Sequence, residues 1–273
     1  MAADPPPPAA RRRLALPLAC LLILALVAWA QRPDGLLHVY ILNTPGDAAL
    51  VRTPRGRFVL VDGGRDPARL TLLLGRLMPF WRRDLLAVVL TRADGQRIPG
   101  SVAALARYRP GVALAPPGLG RGGFAGEWRR LAAAGPAATL APGQRLDLDG
   151  ATLTVLAAQG GDEGGAVLLL SHGATRVLFH SGGSAGDEAA LLAAGRPLAL
   201  LVYPWQRDPG TPAVGALAPG AMVFSQAYEA PAPALLSYAA RRRHSPRVYH
   251  PKADGQIELV SDGRRSWLTI GDP

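Results

Sequence analysis

Few side chains in this sequence are grouped as chemistry would require. Three stretches stand out, each closing an apolar, strand-like run. Asp62-Gly63-Gly64 follows Phe58–Val61, Arg92-Ala93-Asp94-Gly95-Gln96-Arg97 follows Leu85–Thr91, and His180-Ser181-Gly182-Gly183 follows Thr175–Phe179. A fourth, Pro204-Trp205-Gln206-Arg207, closes the run Leu198–Tyr203. Guanidinium groups bind phosphate or carboxylate in a planar fork, and an indole such as that of Trp205 can stack on a base or sugar. Arg92, Arg97 and Arg207 are candidate anion-binding residues if their loops converge. The competing reading pairs them with Asp62, Asp94 and Asp208, and makes Trp205 a space-filling ring.

Other chemistries are excluded or weakly signalled. Cys20 is the only cysteine, so an intrachain disulfide and a cysteine-based zinc site are both ruled out. Gly118-Leu119-Gly120-Arg121-Gly122-Gly123 is glycine-rich, but it lacks the Lys-Ser/Thr ending and the preceding long strand of a phosphate-binding loop. Gly183 and Ser184 do not form a G-x-S-x-G elbow, and no Ser-His-Asp set can be assembled. Arg241-Arg242-Arg243-His244 closes a helical stretch, where cations favour the dipole. His172, His244 and His250 read as surface residues.

The elements that must carry these residues follow from hydrophobic patterning. Strands are expected over Leu37–Leu42, Ala48–Thr53 and Phe58–Asp62, a helix over Asp66–Leu77, and an entirely apolar strand, buried on both faces, over Leu85–Thr91. A helix capped by Ser101 is expected over Ser101–Tyr108, then a strand at Val112–Ala115 and a helix at Phe124–Ala134. The second half repeats the theme. It has strands at Thr139–Ala141, Arg145–Leu148, Thr152–Ala157, Ala166–Ser171, Thr175–His180, Leu198–Tyr203, Met222–Ser225, Val248–His250, Gln256–Val260 and Ser266–Ile270. Its helices are Asp187–Ala194 and Pro231–Arg242. Strands mixed with helices in two comparable halves fit helices packed outside two sheets.

With 273 residues, 49% of them hydrophobic, the chain has a globular composition and enough length for a large core. The formal charge is +10, and Lys252 is the only lysine. Arg11, Arg12, Arg13 and Arg32 against Asp4 put three of those charges in residues 1–33, and seven remain in the rest. Such a surplus favours an anionic partner or is simply a basic solvated surface. Residues 1–13 are Pro- and Ala-rich and end in Arg11-Arg12-Arg13, which reads as disordered. Residues 14–30 form an uncharged run of 17, at the short end of a bilayer span, with Trp29 at its far end. Basic residues on the near side place the N-terminus in the cytoplasm and the domain outside the membrane. The rival reading is a signal peptide cleaved after Ala28-Trp29-Ala30, releasing a secreted domain. Residues 31–36 are a linker, and 37–273 are the domain.

Residues 37–273 resemble the metallo-β-lactamase-like domain of ComEC-type DNA-uptake (competence) proteins. The resemblance runs in order through Leu37–Asn43 and Gly46-Asp47-Ala48, Val59–Gly64, Leu77–Trp81 leading to Val88–Thr91, and Gln256–Leu268. It implies an α/β (α+β) fold, a four-layer αββα sandwich, here preceded by the transmembrane or signal helix. It also implies two zinc ions on an H-x-H-x-D-H loop, activating water for attack on a phosphoester. The positions of that loop's histidines hold Arg92, Asp94 and Arg97, and its Asp position holds Gln96. Guanidinium has no lone pair to offer a metal. The bridging-Asp position is Gly183, and the turn that should carry histidines is Pro204-Trp205-Gln206-Arg207. A further His position falls near Glu229-Ala230-Pro231.

The resemblance places His180 near the old site, as a lone ligand or base or as a strand-end imidazole bonded to backbone. It makes His38 structural and Asp62 a brace for the loop, with Arg92 or Arg97 as its partner. It brings the loops of Arg92, Arg97 and Arg207 to one edge. The expectation is a membrane-anchored domain without metal or cofactor, binding or scaffolding rather than catalysing. Its candidate partners are an anionic ligand or DNA and a membrane protein. The alternative is a hydrolase of the phosphodiesterase type, with one metal on Asp94, His180 and Asp62.

Overall fold

The computed structural model describes residues 32–161, 164–180, 187–205, 209–225 and 239–271, together with Leu21, Leu22 and Leu24. The expectations for residues 1–13 and for nearly all of 14–30 lie outside the described residues, as do those for Gly183, Gln206, Arg207 and most of Pro231–Arg242. No helix among the described residues is long and apolar enough to cross a membrane. Residues Gly35–Pro273 form one compact unit.

That unit is built on two sheets. The first has eight strands: β1 (Leu37–Ile41), β2 (Ala49–Arg52), β3 (Phe58–Val61), β4 (Asp84–Val89), β5 (Arg109–Ala115), β6 (Ala137–Thr139), β14 (Gln256–Ser261) and β15 (Ser266–Gly271). They lie in the order β15-β14-β1-β2-β3-β4-β5-β6. The second has seven: β7 (Arg145–Asp147), β8 (Thr152–Gln159), β9 (Gly165–His172), β10 (Thr175–His180), β11 (Leu200–Pro204), β12 (Met222–Ser225) and β13 (Val248–Tyr249), ordered β13-β12-β11-β10-β9-β8-β7. Each sheet is antiparallel on one side and parallel on the other, and the change falls at β3 in the first and at β10 in the second.

Side chains alternate across a strand, and here both faces are apolar. Val39 and Ile41, Val59 and Val61, Val177 and Phe179, and Leu200 and Val202 meet in a core between the sheets. Tyr40, Leu42, Leu60, Val88 and Leu90 face outward, under α1 (Pro67–Leu77), α2 (Ile98–Arg107) and α3 (Gly123–Ala132). Leu178, Leu201, Tyr203, Met222 and Phe224 face the other way, under α4 (Asp187–Ala193) and α5 (Pro212–Leu217). The layering is therefore αββα. A last short helix, α6 (Pro251–Asp254), precedes β14.

Some boundaries differ from the sequence expectation. Helix α2 begins at Ile98 rather than at Ser101, and Ser101 lies within it, its hydroxyl donating to the Arg97 carbonyl at 3.1 Å. Pro99 and Gly100 read as loop residues in the sequence. Pro is tolerated in a first helical turn because its missing N–H has no partner there anyway. Gly100 is set by packing: a Cβ there would lie 1.8 Å from the Gly63 carbonyl oxygen, and a Cβ on Gly63 would lie 1.9 Å from the Ser101 nitrogen. Strand β6 sits two residues earlier than expected. Helices α5 and α6 are too short to show a period.

The Gly63–Gly100 contact locks the β3 loop onto the start of α2. Gly100→Ala is expected to lower the unfolding free energy by about 2–4 kcal/mol, because backbone must move to admit the methyl group. Gly75 lies inside α1 with open space around its Cβ position. Gly75→Ala is expected to raise stability by about 0.5–1 kcal/mol. Denaturant unfolding of the two variants checks both signs.

Candidate functional site

The loops after β3 and β4 meet the ends of β10 and β11 at one edge of the sandwich. This is where the carboxyl ends of parallel strands leave a crevice. At its centre lies Arg97, whose side chain is entirely buried. Its guanidinium Nη2 donates to Asp47 Oδ2 and its Nη1 to Asp94 Oδ2, while Nε stands 3.6 Å from Asp62 Oδ2. Burial opposes this charge, but Asp47, Asp94 and Asp62 outweigh it and hold the guanidinium pKa above its ordinary value.

Each carboxylate is fixed from the backbone outward. Asp62 has a left-handed backbone (φ 58°) at the end of β3. Its Oδ1 accepts the Thr91 N–H at 2.7 Å and its Oδ2 the Thr91 hydroxyl at 2.5 Å. Asp94 Oδ1 accepts the Gln96 N–H at 3.0 Å, and Asp94 Oδ2 also faces Arg92 Nε at 3.3 Å. Asp47 is held by its N–H donating to the Gln96 carbonyl at 3.0 Å, and its own carbonyl accepts the Gly64 N–H at 2.8 Å. Gly46 has φ +81°, and a Cβ there would lie 1.9 Å from the Gln96 oxygen. Gln96 therefore braces the loop through its main chain.

Three carboxylates surround one guanidinium, and Arg92 adds a second positive charge beside Asp94. Asp62 is the most buried of the three: burial pushes its carboxyl up to about 7, against the Arg97 charge and the Thr91 hydrogen bonds.

Above this cluster is a small cavity of about 20 Å³, lined by Asp47, Asp62, Thr91, Phe179 and His180 among others. It is large enough for one water. His180 is buried, its ring 5.1 Å from that of Tyr203. The aromatic contacts continue from Tyr203 to Phe224 (6.2 Å), Trp205 (5.5 Å) and His250 (5.2 Å). The Arg241 guanidinium lies 4.2 Å from the Trp205 ring centre and 4.4 Å from that of Phe224. Trp205 is thus packed by protein on several sides. A second, polar groove of about 490 Å³ opens beside the cluster, lined by Arg92, Ala93, Asp94, Pro117, Gln159 and several glycines.

These placements correct two expectations. Arg97 is not available to an anion, because its guanidinium is sealed among carboxylates. Of the candidate anion-binding arginines, only Arg92 lines an open groove among the described residues. His250 is not a surface residue: it is fully buried and caps α6, its Nδ1 accepting the Lys252 N–H at 3.1 Å, and burial lowers its pKa to about 4. Asp47 carries one of the three ion pairs and was not singled out from sequence. Its signal was an acid beside a turn glycine facing a chain with a surplus of arginine. His38 hydrogen-bonds Glu258 at 2.7 Å.

A zinc ion does not fit this arrangement. Two of the acids a metal would need already surround a covalently held cation. Among the described residues no group of three or more His, Cys, Asp or Glu is placed to hold a metal.

Comparison with known proteins bears on the fold. No protein-family model and no curated protein matches the sequence. Solved structures do. The metallo-β-lactamase fold protein YhfI from Bacillus subtilis aligns over 78% of this chain and 96% of its own, with a TM-score of 0.55 and 13% identity. Zn²⁺-bound PqqB from Methylobacterium extorquens aligns over 78% and 97%, with a TM-score of 0.54 and 12% identity. A mutant of the β-hydroxylase CmlA aligns over 83% of this chain and 54% of its own, with a TM-score of 0.55 and 16% identity. The chain has the metallo-β-lactamase fold.

Two predictions follow from the Arg97 cluster. Arg97→Met keeps the side-chain length and removes the cation. It is expected to cost about 3–5 kcal/mol at neutral pH, because breaking a buried ion pair strands its partners, and less in mild acid, where the carboxyls take up protons. The second concerns Asp62, whose folded pKa is raised above its unfolded value. Its stabilising contribution is fully present below about pH 4 and is lost as the pH rises through about 7. That loss amounts to at most about 1.4 kcal/mol per pH unit within the window, and Asp62→Asn flattens the slope. Urea unfolding at a series of pH values reads both.

Proposed function

We propose that this protein is a non-catalytic metallo-β-lactamase-fold domain with a binding or scaffold role, held at the outer face of a membrane by residues 14–30. The observation that carries the reading is Arg97: a guanidinium fixed among Asp47, Asp62 and Asp94 supplies the positive charge that a metal supplies elsewhere in the fold, and it can neither exchange nor activate water. The hydrolase alternative needs Asp62, Asp94 and His180 to ligate one metal, and the first two are engaged by Arg97. The groove beside Arg92 is the place for an anionic ligand. DNA is a candidate for that ligand through the likeness to DNA-uptake proteins and through charge. A membrane protein is the scaffold partner the reading implies. Release by cleavage after Ala30 would make the same domain a secreted one.

Metal content tests this reading first. The purified chain, expressed with zinc and manganese supplied, is expected to keep less than about a tenth of an equivalent of either through dialysis. Retention of one or two equivalents would overturn it. Binding to single-stranded DNA, if it uses the arginines, must weaken steeply as salt rises, and absence of binding at low salt removes DNA as the ligand.

A further inference from the structure

The edge opposite the Arg97 cluster has its own character. Strand register fixes what lies there. His38 at the start of β1 is level with Arg52, and Arg52 with Phe58, the first residue of β3. Strand β4 runs parallel to β3 and begins at Asp84, which is level with Arg109. Leu37 is level with Ser261, where the β14–β15 hairpin turns. The chain therefore enters the domain on the edge that also carries the α1–β4 turn, the end of α2 and the residue 262–265 turn.

On this edge two large aromatic residues face solvent. Phe80 is 59% exposed and Trp81 44%, their rings in edge-to-face contact at 4.8 Å. They are displayed on a tight turn, the Arg82 N–H donating to the Pro79 carbonyl at 2.9 Å, and Met78 beside them is buried in the helix-layer core. Arg82, Arg83, Arg107 and Arg109 flank them at the starts of β4 and β5, with Asp84, and Arg264 and Arg265, with Asp262, lie on the same edge four strands away. Arg55 and Arg57 lie at the same edge around Asp149. Adjacent exposed aromatic residues within an arginine field match the interface of an anionic bilayer, where indole and phenyl rings sit at headgroup level and cations meet lipid phosphates.

We propose that this edge rests on an anionic phospholipid surface, with Phe80 and Trp81 entering the headgroup layer. The Arg97 edge then faces away from the membrane. The proposal extends the anchored reading, since residues 31–36 are all that separate Ala30 from β1, and six residues reach at most about 20 Å. It also stands without an anchor, as peripheral binding.

The test uses the full chain with Cys20→Ser. A fluorophore is placed at Arg83→Cys or, on the opposite edge, at Ala93→Cys, and the chain is mixed with phosphatidylcholine vesicles with or without phosphatidylglycerol. Nitroxide-labelled lipid is expected to quench the label at 83 and not at 93. Phe80→Ser with Trp81→Ser should abolish that quenching, and each further arginine removed should weaken partitioning to anionic vesicles about fivefold. Equal quenching at 83 and 93 in a chain that floats with the vesicles overturns the proposal and leaves the anchor standing. Flotation with anionic vesicles alone, with quenching at 83, supports the proposal and overturns the anchor. A chain that floats with neither overturns both.

Discussion

The structure turns on one buried charge. Arg97 cannot lose its proton, and a guanidinium without solvent must find its counter-charges within the protein. It finds them on three separate segments: the turn before β2, the end of β3 and the loop after β4. Holding Asp47 and Asp94 at hydrogen-bonding reach and Asp62 within ion-pair distance obliges those segments to approach closely, and the glycines follow from that approach. Gly46 lets the first turn lie on the Gln96 carbonyl, and Gly63 and Gly100 let β3 and α2 touch backbone to backbone. A larger residue at any of the three would separate elements that the ion pairs draw together.

The cation at this edge is part of the chain. Three carboxylates serve as its counter-ions, and the imidazole of His180 packs beside Tyr203, next to a cavity with room for one water. The groove beside Arg92 opens at the same edge.

The sandwich is also polarised from edge to edge. The helices α1 and α2 each begin beside the Arg97 cluster and run back to the opposite edge, where the chain turns into the next parallel strand. That return delivers Phe80 and Trp81, and the arginines at the starts of β4 and β5, to the edge where β1 begins. Residues far apart in the sequence thus share a surface because parallel strands start on the same side.

The sequence by itself determined the layers. Two-residue alternation with both faces apolar demands cover on both sides of each sheet, and this is a local property, visible in Leu85–Thr91 as in Leu198–Tyr203. It also determined that the loop after β4 holds no histidine, since none of the five lies between His38 and His172. Tertiary structure decided what Arg97 does. An arginine reads as a solvent-facing or ligand-binding residue until its partners are known, and Asp47, fifty positions away, becomes a partner only when β1, β2 and β3 have paired. It likewise decided that His250 is buried, that α2 begins at Ile98, and that arginines scattered from 82 to 265 share one edge. Each of these depends on contacts between segments distant in the chain, which a local pattern cannot encode.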